Sequence, residues 1–447
     1  MKKIAIAQIN SIVGAIEQNK KHAEKFIQKS IDSNVDILVF PKNILLGINA
    51  KELENDRSLI SKKEFAQIEL QNKYKNIKLV FDEYIENGIN IYNNPKKYCF
   101  NDILTEIENF KSKTGLNIFV NPVGAYDEKI FEGRSFAVFN GNLVGIGKFL
   151  EEELLIVDET NTVDYKSLSF EEETFKVLSY GLKDYCAKTG FKKIVLGLSG
   201  GLDSAITAVL ACDAIGAENV LGITMPSKYS TQGSYNDSFE LAKNLGMTCI
   251  EKPIKSLFDE FINSVQDGVV YNDLAEENIQ PRIRALILMN YSNRENRLLL
   301  STGNKSECAM GYCTIYGDTC GGLNLIADVF KTDLYKISNW VNDSSGKEII
   351  PKNILTKAPS AELRPNQKDE DSLPPYPVLD DILKKYIEEN KTVDEISKDY
   401  DKDFVINIVK KLNFNEFKRK QGTLFFEISK KSLGTERNFP IQQRIEF

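Results

Sequence analysis

Short apolar runs alternate with amphipathic stretches along the first part of the chain. Apolar runs of about 4 to 8 residues are typical of strands, and apolar positions three and four apart are typical of helices. This pattern predicts strands at 3–8, 36–40, 78–81 and 117–120, and helices at about 18–33 and 101–114. Between 51 and 76 the sequence is polar and uneven, and it predicts no regular element.

In the second part, the pattern switches regularly between strand and helix. Strands are predicted from 194 and at 220–225, 247–251 and 297–301, and helices from 169, at 203–215, 235–245, about 273–292 and again beyond 374. Strands that alternate with helices predict an α/β fold with a parallel sheet covered on both faces. Because ligands of such sheets bind at the carboxyl ends of the strands, we expect the site there.

Two further features predict how the domains are organised. Alternating apolar positions flank Asn140-Gly141, a dipeptide typical of two-residue turns, and predict a hairpin. Near 151–164 the chain becomes acidic and loses its pattern, so a boundary is predicted there between a domain at 1–160 and a domain at 161–447.

Composition and charge argue against several classes of function. The 447 residues suffice for two domains, and the net charge of −7 argues against a nucleic-acid partner held through its phosphates. No apolar run approaches the roughly 20 residues of a membrane helix, and Gln8 and Asn10 interrupt the N-terminal run, which predicts a strand rather than a signal peptide. Seven scattered cysteines favour a reducing compartment, so a cytoplasmic protein is expected. The single histidine, His22, argues against histidine-based triads and most zinc sites.

The stretch 194–204, IVLGLSGGLDS, predicts an anion-binding loop between a strand and a helix. Gly200 and Gly201 allow close backbone approach, so that N–H groups and the helix dipole can face an anion. A Walker loop would carry a lysine, which is missing here, and Asp203 adds a carboxylate that phosphate would repel unless a cation intervened. Asp203 is therefore predicted to bind Mg²⁺. The plain alternative is a glycine turn between packed elements.

The S-G-G-x-D-S pattern of this loop resembles the pyrophosphate loop of the ATP pyrophosphatase superfamily, whose members form an adenylate and release pyrophosphate. A GMP synthetase would need a catalytic histidine in its glutaminase, which a chain with only His22 does not favour. An asparagine synthetase would need a cysteine where Lys2 stands. The tRNA thiolases usually carry C-x-x-C pairs and basic surfaces, which this sequence lacks.

From about 170 onwards the chain resembles the NAD synthetases. The matching stretches are MPSKYSTQGSYNDSFELAKNLG (225–246), ENIQPRIRALILMNYSN (277–293), LSTGNKSECAMGYCTIYGD (300–318), GGLNLIADVFKTDLY (321–335) and KAPSAELRPNQKDEDSLPPY (357–376). The resemblance implies a doubly wound parallel sheet of the adenine nucleotide alpha hydrolase type. It also implies ATP as co-substrate and Mg²⁺ as cofactor.

Position by position, the resemblance implies a set of site residues. The ATP contacts would be Gly197, Leu198, Ser199, Gly200, Gly201, Leu202, Asp203, Ser204, Thr302, Lys331 and Ser360. The catalytic residues would be Asp203, Glu307 and Lys331, of which Asp203 and Glu307 would bind Mg²⁺. The deamido-NAD contacts would be Asn278, Arg282, Glu307 and Lys418. Asn278 and Arg282 lie one helical turn apart and so share a face.

The reaction that the resemblance implies is the amidation of deamido-NAD. Its nicotinate carboxylate would attack the α-phosphate of ATP, pyrophosphate would leave, and ammonia would displace AMP from the acyl-adenylate to give NAD. Mg²⁺, Lys331 and the amides of the loop would stabilise the negative charge. Two alternatives remain, a non-catalytic nucleotide sensor and a tRNA-modifying adenylating enzyme.

The first domain resembles the nitrilase-like amidases that supply ammonia to glutamine-dependent NAD synthetases, which implies a shortened αββα sandwich. The matching stretches are IAIAQINSIVGAIEQN (4–19), NVDILVFPKNILLG (34–47) and VNPVGAYDEKIFEGRSFAVFNGNL (120–143). Such amidases use a Glu, a Lys and a Cys. The Glu follows Phe-Pro, where this chain has Lys42, and the Cys precedes two acidic residues, where KLVFDE (78–83) has Phe81. Cys99 has no matching base or lysine.

These replacements predict a pseudo-glutaminase attached to a synthetase that uses free ammonia. The alternative is a glutamine-dependent enzyme with a rearranged amidase site. A nitrilase-like sandwich usually buries one face against another subunit, so a homodimer or larger homo-oligomer is expected. A separate glutaminase is a further expected source of ammonia.

Overall fold

The chain divides into two compact units, one ending at Ser169 and the other beginning at Phe170. The structure, a computed structural model, describes residues 2–82, 84–86 and 88–445. The boundary predicted from the sequence, between 160 and 161, lies shortly before the end of the first unit. Each unit has a core of its own and is described separately.

The first unit is built from short strands and a few longer helices. In chain order they are β1 (Ile4–Gln8), α1 (Ile16–Asp32), β2 (Ile37–Val39), a 3₁₀ turn (Lys51–Asn55), α2 (Arg57–Lys73), β3 (Lys78–Val80), β4 (Tyr84–Glu86), β5 (Ile89–Tyr92), α3 (Asp102–Lys111), β6 (Leu116–Phe119), β7 (Val123–Tyr126), β8 (Lys129–Glu132), β9 (Phe136–Phe139), β10 (Asn142–Ile146) and β11 (Glu153–Val157).

Two sheets of the first unit pack face to face. One has the order β11-β1-β2-β3 and the other β10-β9-β6-β5-β4, while β7 and β8 pair separately. Ile4 and Ile37 of the first sheet share a buried core with Ile91 and Ile118 of the second. Helices α1 and α2 pack on the other side of the first sheet, and α3 packs on the other side of the second. The αββα sandwich is thereby confirmed.

The hairpin predicted at Asn140-Gly141 is confirmed. Strands β9 and β10 pair antiparallel, with Phe139 opposite Asn142. The two turn residues have φ angles of 45° and 88°, the left-handed pair that a two-residue turn of this type requires.

The prediction that the pattern is lost after 151 is wrong for part of that range. Residues Glu153–Val157 form β11, which pairs antiparallel with β1, with Val157 opposite Ile4. The strand lies at the edge of its sheet and most of its residues are only partly buried. The sequence of the strand therefore shows no alternation of apolar and polar residues. Its partner strand, β1, is also distant, at the start of the unit's sequence.

The uneven stretch 51–76 also contains an element that its sequence does not predict. Helix α2 begins after Asp56, whose carboxylate accepts hydrogen bonds from the N–H groups of Ser58 and Leu59. Within the helix only Ala66 and Leu70 are buried. So narrow a buried stripe gives no clear helical period, and tertiary packing rather than amphipathicity stabilises the helix.

The second unit has strands that alternate with helices and then a helical tail. In chain order they are α4 (Phe170–Thr189), β12 (Ile194–Gly197), α5 (Leu202–Ile215), β13 (Val220–Thr224), α6 (Gln232–Leu245), β14 (Thr248–Glu251), α7 (Lys255–Val265), α8 (Leu274–Glu295), β15 (Leu298–Ser301), α9 (Lys305–Met310), β16 (Leu323–Asn324), α10 (Lys331–Ser345), α11 (Lys352–Thr356), α12 (Tyr376–Ile387), α13 (Val393–Ile396), α14 (Lys402–Phe414) and α15 (Glu416–Arg419).

The sheet of the second unit is parallel, which confirms the prediction. Its order is β14-β13-β12-β15-β16, and each neighbouring pair is parallel. Helices α7 and α8 pack on the face that contains Val195 and Ile223, and α5 packs against β12 and β13. The chain order reverses between β12 and β15, so the loops after these two strands diverge and leave a crevice at their carboxyl ends.

The tail predicted to be helical beyond 374 is helical. Helices α12, α13 and α14 share a core with α9 that includes Leu379, Ile396, Val409 and Ala309. This core attaches the tail to the short helix that follows β15. Across the described ranges, every helix falls short of the combined length and apolar character that a membrane crossing requires.

Candidate active site

The glycine loop leads from β12 into α5, between a strand and a helix as the sequence predicts. Gly200 has a φ of +72°, and a Cβ added there would lie 2.2 Å from the carbonyl oxygen of Ser234. The position therefore requires glycine, because both the backbone conformation and the contact with α6 exclude a side chain. Gly201 is the N-cap of α5 and has no side chain to cap the helix, which leaves the first turn accessible to an anion.

A cavity of about 450 Å³ opens at the carboxyl ends of β12, β13 and β15. Its size is that of sites for small molecules and cofactors. Its lining includes most of the predicted contacts, namely Gly197, Leu198, Ser199, Gly201, Leu202, Asp203, Ser204, Asn278, Thr302, Glu307, Lys331, Ser360 and Lys418.

Three charged side chains meet at the end of the loop. The Lys331 Nζ lies 2.5 Å from Asp203 Oδ2 and 3.5 Å from Glu307 Oε1. Asn304 connects the two acids, because its amide donates to Asp203 Oδ1 (3.1 Å) and its Oδ1 accepts the Glu307 N–H (3.0 Å). The three residues come from α5, α9 and α10, so only the folded unit brings them together.

Burial and neighbouring charge set the ionisation of this cluster. Burial, together with the negative charge of Asp203, raises the pKa of Glu307 to about 8. For Lys331, burial lowers the pKa, but the carboxylates of Asp203 and Glu307 outweigh burial and raise it above its ordinary value. Lys331 is therefore a permanent cation, and Glu307 is a carboxyl that gains from any further positive charge.

The chemistry of these side chains fits a divalent cation. In the described part of the chain, no cluster of three or more His, Cys, Asp and Glu side chains could hold a metal by itself. Asp203 and Glu307 supply two carboxyl groups; burial and the charge of Asp203 together raise the pKa of Glu307, so a bound cation would favour its ionised form. Mg²⁺ is usually bound by one or two carboxylates together with substrate phosphates, which matches this pair.

The predicted deamido-NAD contacts do not all reach the cavity. Asn278 lines it and accepts a hydrogen bond from the Thr314 hydroxyl (2.7 Å). Arg282 is absent from its described lining; the side chain is exposed and its Nε donates to the Ile315 carbonyl (3.3 Å). Both side chains therefore face the loop after α9, as their spacing predicts, but only Asn278 reaches the cavity.

The remaining predicted contacts hold loops of the cavity wall. The Lys418 ammonium donates to the carbonyls of Gly311 (2.7 Å) and Cys313 (2.9 Å). Ser360 donates to the Gln367 carbonyl (2.6 Å). Thr302 follows β15 directly and lines the cavity.

Several polar side chains of the cavity are missing from the sequence-based assignment. Arg284, two residues after Arg282, lines the cavity, and burial lowers its pKa to about 10, so it stays charged at neutral pH. Asp318 lines the cavity and is exposed to it, and the protein packed around its carboxyl raises its pKa to about 6 although the Thr314 N–H donates to it (2.6 Å). Both residues lie inside stretches that resemble the NAD synthetases. Nothing in their position along the sequence, however, distinguishes them from charged residues at the surface.

Glu362 joins a long loop to the start of α6. Its carboxylate accepts hydrogen bonds from the hydroxyls of Ser234 (2.7 Å) and Thr231 (3.1 Å). All three lie beside the glycine loop, since Ser234 is the residue that Gly200 contacts. The loop that contains Ser360 and Glu362 thus forms one wall of the cavity.

In the first unit, ring stacking and backbone hydrogen bonds hold the positions that are predicted to have lost the amidase residues. Phe81 is buried and stacks on Phe40, with ring centroids 5.1 Å apart. The Asn93 amide donates to the Phe40 and Phe81 carbonyls, and its Oδ1 accepts the Lys42 N–H (2.7 Å). The Lys42 side chain is exposed. Glu83, the last residue of the KLVFDE stretch, lies outside the described residues.

Comparison with known proteins gives the family. The family model described as NAD synthase matches residues 174–422. The chain is 42% identical over 372 residues to the glutamine-dependent NAD(+) synthetase of Thermotoga maritima, a match that covers 73% of this chain and 64% of that protein. It is 39% identical over 419 residues to the glutamine-dependent NAD(+) synthetase of Synechocystis sp., with 90% and 73% covered. The chain thus spans just under two thirds of the length of the Thermotoga protein.

Solved structures give the same result. The glutamine-dependent NAD+ synthetase from Acinetobacter baumannii in complex with ADP aligns with a TM-score of 0.73 at 26% identity, over 98% of both chains. The enzyme of the same name from Cytophaga hutchinsonii aligns with a TM-score of 0.83 at 18% identity, over 99% of this chain and 98% of that one, which supports the fold alone. This chain therefore belongs to the NAD synthetase family.

Proposed function

We propose that this chain converts deamido-NAD into NAD while ATP is cleaved to AMP and pyrophosphate. The observation that carries the proposal is the meeting of Lys331, Asp203 and Glu307 at the end of a glycine loop, inside a cavity of about 450 Å³. Family membership supports the same reaction. The test is the appearance of NAD, AMP and pyrophosphate in equal amounts from deamido-NAD, ATP, Mg²⁺ and ammonium.

The first step is adenylation of the nicotinate carboxylate. One carboxylate oxygen attacks the α-phosphorus of ATP, the bond between the α-phosphorus and the bridging oxygen breaks, and pyrophosphate departs with the electron pair. The glycine loop would hold the departing phosphates through backbone N–H groups at the start of α5. Lys331 would stabilise the negative charge that develops there, since it is buried and cannot lose its proton at neutral pH.

Asp203 and Glu307 are the proposed Mg²⁺ ligands. When bound, Mg²⁺ would neutralise phosphate charge and orient the triphosphate. Without a cation, two carboxylates beside a triphosphate would be repulsive, and one ammonium group is too little to offset them. The connection of both acids through Asn304 supports a pair that acts together.

The second step is amidation of the acyl-adenylate. Ammonia attacks the acyl carbon through its lone pair, a base removes one N–H proton, and AMP leaves with the electrons of the acyl–oxygen bond. We assign the proton to Asp318, which faces the cavity and whose carboxyl is ionised above a pKa of about 6. A base whose pKa lies near or below the working pH is available in the required form.

This assignment predicts a specific dependence on pH. At a fixed concentration of unprotonated ammonia, kcat should fall as pH drops below 6, because Asp318 then carries a proton and cannot accept another. The Asp318→Asn variant should lose about 10²-fold in kcat and also lose this acidic limb. Initial rates of NAD formation across pH 5 to 8 check both expectations. The control is Asp343→Asn, an exposed acid near the end of α10, which should keep the profile; an unchanged acidic limb in Asp318→Asn would exclude the assignment.

The nitrogen source is the part of the function on which the observations diverge. The curated relatives are named glutamine-dependent, and these names favour the alternative, glutamine-supported turnover, over the prediction of ammonia alone. The first unit supports free ammonia, since Phe81 and Lys42 stand where the amidase residues are expected, and Asn93 hydrogen-bonds the backbone at both positions. Ammonia is the nucleophile at the second unit in both cases.

A paired assay separates these two sources. Turnover is measured with deamido-NAD, ATP and Mg²⁺, once with ammonium and once with glutamine, and glutamate release is measured in parallel. If the first unit has no amidase activity, ammonium supports NAD formation and glutamine does not. Cys99 is the cysteine of that unit and is buried. If glutamine supports turnover, Cys99→Ala tests whether this thiol is the nucleophile, because loss of glutamine-dependent but not ammonium-dependent activity would identify it.

Other classes of function are weaker candidates. A nucleotide sensor has no need for a buried lysine between two acids, and release of AMP and pyrophosphate would exclude it. A tRNA-modifying enzyme is not favoured by the net charge of −7. The expected homo-oligomer remains a prediction, supported by exposed apolar side chains from the end of α7 to the start of α8, among them Val265, Val270 and Leu274.

A further inference from the structure

A buried carboxylate outside the cavity joins α9 and α10, two of the three helices that carry the catalytic cluster. Asp380, on α12, is 5% exposed. Its Oδ1 accepts the Ser306 hydroxyl (2.5 Å) and its Oδ2 accepts the Thr332 N–H (2.9 Å). The Ser306 Oγ in turn accepts the Lys331 N–H (3.0 Å). Asp380 and Ser306 therefore bind the first turns of both α9 and α10.

These first turns are where the cluster is built. Ser306 precedes Glu307 on α9, and Thr332 follows Lys331 on α10, so each partner of Asp380 is next to a catalytic side chain. The separation between Lys331 Nζ and Glu307 Oε1 depends on how the two helix ends lie against each other. Neither Asp380 nor Ser306 belongs to the described lining of the cavity. Their effect on chemistry must therefore act through the position of α9 and α10.

The physical chemistry of the position favours this role. The N–H groups of a first helical turn have no partners within the helix, and an anion placed there satisfies them and gains from the helix dipole. Burial raises the pKa of Asp380, while the bonds from Ser306 and Thr332 lower it. An apolar residue would fill the same space without the cost of burying a carboxylate, but it would leave the helix ends unconnected.

The other end of α12 holds α9 as well. Lys305 is fully buried, and its ammonium donates to the carboxylate of Glu388, the C-cap of α12 (2.6 Å), and contacts Asp328 (3.0 Å). At the start of α12, the Tyr376 hydroxyl lies 3.4 Å from Glu307 Oε1. The start, the middle and the C-cap of α12 thus each contact a residue of α9, and Asp380 also contacts α10.

We propose that Asp380 is a positioning residue, which sets the distance between Glu307 and Lys331 by binding the first turns of α9 and α10 together. This inference rests on the proposed function for its catalytic consequence. The Asp380→Asn variant keeps the shape of the side chain and one accepting oxygen. With only one oxygen, the amide cannot accept both the Thr332 N–H and the Ser306 hydroxyl as the carboxylate does, so the charged double connection between α9 and α10 is weakened.

The expected result is a loss in kcat with little change in KM. A displacement of about 1 Å between catalytic groups can cost about 10²-fold, so kcat of Asp380→Asn should fall about 10- to 100-fold. The KM values for ATP and deamido-NAD should stay within about threefold, because the cavity wall is untouched. Ser306→Ala should likewise lower kcat with little change in KM. The double variant should lower kcat little more than either single change, because both substitutions remove the same connection between α9 and α10.

The matched control is the neighbouring acid. Asp381 lies on the same helix, and it contacts Lys385 (2.8 Å) and Tyr400 (2.6 Å) rather than α9 or α10. Asp381→Asn should keep wild-type kcat. Urea unfolding of each variant shows the folded fraction at the assay temperature, and rates are expressed per folded molecule. A kcat of folded Asp380→Asn within about twofold of wild type would overturn the proposal.

Amide hydrogen exchange measures how firmly the first turns of α9 and α10 are held, independently of enzymatic activity. Peptides that cover the first turns of α9 and α10 should exchange faster in Asp380→Asn than in wild type, and those of α5 should not change. Unchanged exchange at both first turns would overturn the proposal even if NAD formation fell. If wild type forms no NAD while exchange responds as expected, the proposed function fails and the structural connection stands.

Discussion

Replacing Lys331 with methionine is expected to lower kcat for NAD formation by about 10²- to 10³-fold, the effect of removing one donor that stabilises a developing oxyanion. Lys331 is the cation of the cluster, it is 3% exposed, and its ammonium lies 2.5 Å from Asp203. Methionine keeps the length of the side chain, so the cavity should not collapse. Without the ammonium, Asp203 and Glu307 would face each other and the pKa of Glu307 would rise further.

The readout of this variant is release of pyrophosphate and of NAD under saturating ATP. Both should fall together, because Lys331 is assigned to the adenylation step that precedes amidation. The control is Lys336→Met on the same helix, whose ammonium is exposed and pairs with Asp333 (2.7 Å). If Lys331→Met released pyrophosphate at the wild-type rate, the lysine would have no part in adenylation.

The second large effect is expected at Asp203. Asp203→Asn should lower kcat by about 10²-fold or more and raise the Mg²⁺ concentration needed for half-maximal rate, because a neutral amide is a poor ligand for a hard cation. The amide can still accept from Lys331 or Asn304, so the loop should stay folded. Rates measured as a function of Mg²⁺ concentration at fixed ATP distinguish weaker Mg²⁺ binding from a lower rate at saturating Mg²⁺.

A matched variant lies further along the same helix. Asp213, near the end of α5, accepts a hydrogen bond from Ser179 and is exposed. Asp213→Asn should keep both the wild-type rate and the wild-type Mg²⁺ response. An Asp203→Asn variant with an unaltered Mg²⁺ response would argue that this carboxylate does not bind the metal.

An element of the fold could be predicted where neighbouring residues in the sequence specify it, and was missed where a distant segment stabilises it. The strands β12, β13 and β15 of the second unit are buried apolar runs, so they are visible in the sequence, and the parallel sheet was predicted. The strand Glu153–Val157 was missed because an edge strand with a distant partner has no periodic pattern. Helix Arg57–Lys73 was missed because it buries only Ala66 and Leu70.

The features of the candidate site also differ in whether neighbouring residues or tertiary packing specify them. The glycine loop is specified by adjacent residues, because Gly200 needs a positive φ and Gly201 starts a helix, and these needs appear directly in the sequence. The difference between Arg282 and Arg284 is not local. Two residues on one helix point in directions about 200° apart, and only the packing of α8 against the sheet decides which one faces the cavity.

The sequence by itself therefore determined the alternation of strands and helices in the first part of the second unit, the glycine loop and the set of residue types available for phosphate and metal chemistry. Tertiary structure decided that Lys331, which the family resemblance assigns to ATP and which follows Asp203 by 128 positions, contacts the Asp203 carboxylate, and that Asp380 joins α9 to α10. The physical reason is that backbone conformation responds to neighbouring residues, whereas charge pairing and burial depend on segments that meet only after the chain has folded.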